Sequence, residues 1–125
     1  MDAEIERNVL GEPIEPCSLD PVTGFFRNGH CWAGDDGQAR HLVCCEMTIA
    51  FLEYSLSVGN DLSTPRPEFA FPGLMPGDRW CVHADRFVQA WKAGAAPRIA
   101  LLATHEAMLK QVPLAELKKL AFDLA

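Results

Sequence analysis

Proline and glycine, nine of each among 125 residues, punctuate this chain unevenly, and their placement decides where regular structure can form. Residues 1–40 are dense in turn signals. Glu12-Pro13-Ile14-Glu15-Pro16 should be extended, since each proline pushes its predecessor out of the helical region. Asp20-Pro21-Val22-Thr23-Gly24 reads as a turn, with proline presetting φ and glycine accepting φ > 0. Phe25-Phe26-Arg27 is expected to form a short strand entering the tight-turn pair Asn28-Gly29, and Gly34-Asp35-Asp36-Gly37 a further loop. A second interruption, residues 61–78, holds four prolines. A loop this long in a small domain is expected to be ordered, with Phe69, Phe71 and Leu74 as its anchors.

Elsewhere the apolar pattern becomes regular. Leu42-Val43-Cys44-Cys45 suits a buried strand, Thr48 an N-cap, and Phe51, Leu52, Ser55 and Leu56 a helix closed by Gly59-Asn60. Arg79-Trp80-Cys81-Val82-His83 alternates like a strand, and Asp85 can cap a helix carrying Phe87, Val88 and Trp91 that ends at Gly94. Cys44 stands four residues before Thr48 and Cys81 four before Asp85, a weak internal repeat. A third unit places a strand at residues 99–103, a cap at Thr104 and a helix as far as Gln111. Pro113 then starts a terminal amphipathic helix with Leu114, Leu117, Ala121 and Leu124 on one face.

Alternating strands and helices are compatible with a parallel α/β sheet. The irregular first third and the long proline-rich middle loop favour a smaller solution, so the expected class is α+β. The expected architecture is a compact two-layer α-β sandwich of three strand-helix units, one domain over residues 1–125 with residues 1–8 a candidate tail. Such a length buries roughly two thirds of the unfolded surface, so neither metal nor disulfide is required merely to fold.

The formal charge of -6 repels phosphate backbones and anionic lipid, which argues against nucleic acid and membrane surfaces as partners. The acidic start Met1-Asp2-Ala3-Glu4-Ile5-Glu6 lacks the apolar core of a secretory signal. The longest apolar stretch, residues 99–103, is far short of the roughly 20 residues that cross a bilayer. A soluble cytoplasmic protein is expected. Its five cysteines, Cys17, Cys31, Cys44, Cys45 and Cys81, are odd in number and include no Cys-x-x-Cys pair. Reduced thiols are therefore expected in preference to a disulfide framework, and thioredoxin-type and zinc-ribbon motifs are absent.

Asn8-Val9-Leu10-Gly11, Glu15-Pro16-Cys17, Asn60-Asp61-Leu62-Ser63-Thr64-Pro65, Pro72-Gly73-Leu74, Pro76-Gly77-Asp78-Arg79-Trp80-Cys81 and Ala103-Thr104-His105-Glu106 form an ordered set of motifs. Through them the chain, from about Asn8 onward, resembles a small bacterial family known as domain of unknown function 2237. The resemblance implies a compact two-layer α-β domain and no particular activity, substrate or cofactor. In that family the stretch matching Gly29-His30-Cys31 often carries adjacent cysteines, and that matching Trp80-Cys81-Val82-His83 often reads Trp-Cys-x-Cys. Here His30 and His83 stand at those places. Histidine replaces cysteine as a zinc ligand but not as a nucleophile, so the departure favours metal over thiol chemistry at these positions.

Three candidate sites result, each with a plain alternative. Cys17, Cys31, Cys44, Cys81 and His83 could hold zinc, Cys81 and His83 sharing a strand face; the alternative, which weighs more, is buried structural thiols. Cys44 or Cys45, ahead of a helix start, could be a thiolate with His41, His83 or His105 as base; the alternative is a strand-end core residue. Asn60, Asp61, Thr64, Arg66, Asp78 and Arg79, with Ser63, could line a pocket that grips an anion. Turn chemistry explains most of those residue types without any ligand. His105-Glu106 sits in a helix first turn, where glutamate complements the dipole. No Walker loop, Gly-x-Gly-x-x-Gly, His-Glu-x-x-His or Gly-x-Ser-x-Gly occurs.

The reading that results is a non-catalytic binding or interaction module, with Trp32, Trp91 or the terminal helix as the surfaces through which it would form a homo-oligomer. A small Cys/His metalloprotein and a reactive-cysteine enzyme are the alternatives. No cofactor is expected, zinc being the one that the residue set would accept.

Overall fold

A computed structural model describes residues 6–34 and 36–123. Its strands are β1 (His41–Glu46), β2 (Arg79–His83) and β3 (Arg98–Ile99), and its α-helices are α1 (Ile49–Ser57), α2 (Ala84–Lys92) and α3 (Leu114–Leu120). The sheet runs β2-β1-β3 with both neighbouring pairs antiparallel. The class is α+β, and the parallel arrangement is not formed.

Local chemistry explains the first two units. The Thr48 hydroxyl accepts the Phe51 N–H and starts α1. Gly59, at φ 84, lets the chain leave the helix, a conformation that costs glycine no Cβ clash. At α2 the cap is His83 and not Asp85: the strand runs directly into the helix, so the His83 ring Nδ1 accepts the Asp85 N–H.

The third unit differs more. Strand β3 is only two residues, followed by 3-10 turns at Leu101–Ala103 and Glu106–Lys110. His105 caps the second turn through Nδ1 and the Ala107 N–H. Thr104 cannot, because its buried hydroxyl accepts the Cys44 N–H and donates to the Ala100 carbonyl. Helix α3 ends at Leu120 with Leu117 as its buried contact, and Ala121 bridges to Ile99; Leu124 lies outside the described residues.

The first third is irregular, as expected, yet Phe25-Phe26-Arg27 is not a strand. Arg27 has φ 54, both phenylalanines are exposed, and the local hairpin bridge falls earlier, between Leu19 and Val22. Of the candidate tail, residues 6–8 are tied down: Arg7 bridges Pro13, and Asn8 is buried and bridges His105. Residues 1–5 lie outside the described residues.

The middle loop is folded against the body. Leu74 is buried and its N–H bonds the Leu62 carbonyl, while Phe71 packs edge-to-face on Trp80. Phe69 does not anchor it and is 65% exposed; the backbone beside it instead serves the Arg27 guanidinium.

Alternation along β1 and β2 produces two apolar layers. Val43, Cys45, Trp80 and Val82 join Phe51 and Phe87 in the helix-side core. Cys44 and Cys81, directly opposite each other across the antiparallel pair, face the other way with Cys17, Cys31, Ala100 and Ala103. Among the described residues no helix is long and apolar enough to cross a membrane.

Candidate functional site

The second layer is where the expectation of reduced thiols fails. Cys17 is bonded to Cys44 and Cys31 to Cys81, with Cα separations of 5.5 and 5.3 Å, leaving Cys45 as the free cysteine. Composition and terminus spoke only of the compartment, whereas proximity decides whether sulfurs can join. The strand ladder holds Cys44 beside Cys81, and the irregular segment crosses them. That segment is also tied by backbone bonds, since the N–H groups of Cys17 and Ser18 both donate to the Gly29 carbonyl. Two buried threonines complete the arrangement. The hydroxyl of Thr23 accepts the Cys81 N–H at 2.7 Å, and that of Thr104 accepts the Cys44 N–H at 3.2 Å. The sulfurs of Cys17, Cys31 and Cys81 lie within 4.8 Å of one another, and that of Cys44 is bonded to the first.

His83 stands apart from this cluster. Its Nδ1 is occupied by the α2 cap, and its ring lies edge-on to His41 at 5.2 Å between centroids. His30 stacks near Trp32 instead. The thiolate reading is not supported either. Cys44 is a disulfide half, and burial pushes the Cys45 thiol well above its ordinary range, so it stays protonated and donates to the Val43 carbonyl.

The second feature is a trench on the loop side of the fold. Its outer part, about 490 Å³, is lined by Pro21, Val22, Pro65, Pro67, Ala70 and Pro72, with the Asp20 carboxylate and Arg27 as its charged groups and Phe71 shared with the next part. A middle part of about 290 Å³ adds His41, Asn60, Asp61, Arg66 and Trp80. A small inner recess of about 60 Å³ reaches His83, Arg86 and Cys81 and shares His41, Asn60 and Trp80 with the middle part. The trench therefore passes from a proline-rich mouth holding one carboxylate to an imidazole-lined interior where Arg27, Arg66 and Arg86 outnumber Asp61.

Arg27 builds the middle part. Its guanidinium donates to the carbonyls of Gly24, Phe69 and Ala70 and lies 5.1 Å from the Trp80 ring centroid. The left-handed backbone at Arg27 aims the side chain across to the middle loop. Its hydrogen-bond partners are all carbonyls, so it is held in place without a salt bridge. His41 lies next to it, stacked on Phe25, with Nδ1 buried and lacking a hydrogen-bond partner. Burial, the neighbouring His83 and the Arg27 charge together lower the His41 pKa to about 4, so the ring is neutral at pH 7.

Of the six loop residues that the sequence singles out, Asn60, Asp61 and Arg66 line the trench. Thr64 is bonded to Asp61, whose carboxylate is held below the usual range chiefly by that hydroxyl and then by the Ser63 N–H. Asp78 turns inward on its own loop and accepts the Met75 N–H. Arg79 lies in the sulfur layer, its Nη2 3.7 Å from the Cys44 sulfur. Arg27, Phe71 and Trp80 are the trench residues that sequence reasoning does not find, and His41 enters it only as a base. Their convergence needs the Arg27 backbone turn and the β1–β2 pairing, and neither leaves a local sequence mark.

No curated protein matches the chain. A model of the family described as uncharacterized protein conserved in bacteria (DUF2237) matches residues 7–121, which is nearly the whole of the chain, and the chain belongs to that family.

Proposed function

We propose that this domain is a non-catalytic binding module whose trench takes a small amphiphilic anion, an apolar or aromatic body carrying a carboxylate. The observation that carries this reading is the buried, unpartnered Nδ1 of His41 beside the Arg27 guanidinium. A buried polar atom without a partner is costly, and an anionic oxygen or a protonated acid group entering the trench would supply one. Arg66, at the trench wall, is paired with Glu68 in an exposed contact at 3.5 Å and also acts on the Asp61 carboxylate; both interactions are solvent-screened, so the guanidinium can turn to a ligand. The proline-lined mouth with Val22 and Phe71 suits the apolar body.

The test is a titration of the full chain with 1-naphthoate, phenylacetate and decanoate, followed by amide and indole NMR shifts. Saturable shifts confined to Asn60, Leu62, Phe71 and Trp80 are expected, and His41→Phe or Arg66→Gln should weaken binding about tenfold. Because His41 titrates at about 4, its ring stays neutral and affinity should be level between about pH 8 and about pH 6, rising through His41 protonation only below about pH 5 and only for a probe that is still ionised there. Absence of saturable shifts at these residues up to roughly 10 mM of every probe would overturn the reading.

A further inference from the structure

The sulfur layer carries an inference independent of the trench. We propose that in the reduced chain Cys17, Cys31, Cys44 and Cys81 form a tetrathiolate site for zinc or another soft tetrahedral divalent cation.

Three of these sulfurs already lie within 4.8 Å of one another, and the fourth is bonded to one of them. A zinc–sulfur bond near 2.3 Å sets sulfur–sulfur edges of about 3.8 Å in a tetrahedron. Breaking both disulfides frees the four side chains to rotate towards that geometry, with Cys44, which lies outside the 4.8 Å cluster, having the furthest to move. The backbone would not have to search for it. Cys44 and Cys81 are cross-strand neighbours in β1 and β2, and the first third stays bonded to the body without help from sulfur, through the Glu15 N–H on the Leu102 carbonyl and the Thr23 hydroxyl that accepts the Cys81 N–H.

The surroundings fit a soft ion. The wall is Ala100, Ala103, Ile14 and Phe122, small or apolar, with no oxygen ligand among the clustered donors. Four thiolates and one divalent cation leave two negative charges, and Arg79 is placed to answer them. Its Nη2 is 3.7 Å from the Cys44 sulfur, and its Nε is buried without a partner. Cys45, on the opposite face, takes no part.

The chemistry balances. Two equivalents of a dithiol reductant each deliver two electrons and two protons, becoming disulfides themselves and converting the two protein disulfides to four thiols. One divalent cation then displaces the four thiol protons. Oxidation by a disulfide or an equivalent two-electron acceptor, acting twice, reverses this and releases the ion.

The experiment uses the full chain, reduced anaerobically and titrated first with Co²⁺ and then with Zn²⁺. Intense tetrahedral tetrathiolate bands saturating near about one equivalent, and bleached by an equal amount of Zn²⁺, are expected. Native mass spectrometry should show one zinc on the reduced chain and none on the oxidised chain, and zinc should raise the melting temperature of the reduced form only. Cys45→Ser should leave all of this unchanged, while Cys17→Ser or Cys81→Ser should abolish the stoichiometric bands. Wild-type readouts keep the test decisive if those variants fail to fold. Weak octahedral cobalt absorption or binding far below one equivalent on the wild-type chain would overturn the proposal, as would loss of the bands in a Cys45→Ser chain that keeps its fold by circular dichroism.

Discussion

At the scale of single residues, the consequential groups are polar ones placed in apolar surroundings. His41 is the clearest. Its folded pKa of about 4 lies below the ordinary 6.5, so between these values the unfolded chain binds the proton more tightly. Its contribution to stability is therefore whole above about pH 6.5 and is lost as pH falls towards 4. One pKa unit corresponds to about 1.4 kcal/mol, and the ring's partial exposure reduces the total, so a loss of about 1–2 kcal/mol is expected over that window. Urea unfolding of wild type and His41→Phe at several pH values checks this; the variant should lose that part of the acid slope. The threonine hydroxyls belong to the same scale. Thr23→Val keeps the shape but orphans the Cys81 N–H, and should cost about 1–3 kcal/mol in chemical denaturation. The sequence shows neither role, because a threonine in a turn-rich segment reads as turn chemistry until the strand that it serves is known.

At the scale of elements, the legible parts are those written locally. The Thr48 cap, the Gly59 exit and the strands around Val43 and Cys81 are where residue type and spacing put them. Two of the failures involve polar groups that are bonded elsewhere in the fold. Thr104 forgoes capping for the Cys44 N–H, and Phe25-Phe26-Arg27 forgoes a strand because Arg27 reaches the middle loop. That loop closes tightly at Gly73, which has φ 79 and would place a Cβ 2.6 Å from the Ser63 carbonyl oxygen. Gly73→Ala is thus strained twice over, and should lower stability by about 1–3 kcal/mol and loosen the trench floor. Hydrogen exchange at Leu74 and Arg66, whose N–H groups bond across the loop, reports the loosening.

At the scale of the whole molecule, the disulfides join the irregular first third to the sheet. They span sequence separations of 27 and 50 residues. In the chain-entropy account such closures contribute about 3.5 and about 4 kcal/mol, a large share of the roughly 5–15 kcal/mol typical of a domain. Cys31→Ala combined with Cys81→Ala should therefore lower the urea midpoint more than any single surface change, with the helix-side core of Phe51 and Phe87 the last part to open. Amide exchange resolved by residue measures that order. Equal exposure of both layers at all urea concentrations would show instead that the molecule unfolds as one unit. Disulfides form in oxidising surroundings, so the two sulfur states distinguish compartments in a way that the residue composition did not.

By itself the sequence determined the local events: which segments turn, where the first helix starts and stops, and which short apolar runs become the two main strands. These depend on torsional preference and on groups a few residues apart. The apparent repeat is not kept, because the α1 cap stands four residues after Cys44 and the α2 cap two residues after Cys81; what relates the two cysteines is that they face each other across β1 and β2. Which sulfurs join, which imidazole is left unpartnered and which arginine meets the trench were decided only by tertiary structure. Those outcomes depend on distances between segments up to 50 residues apart, and no local preference encodes them.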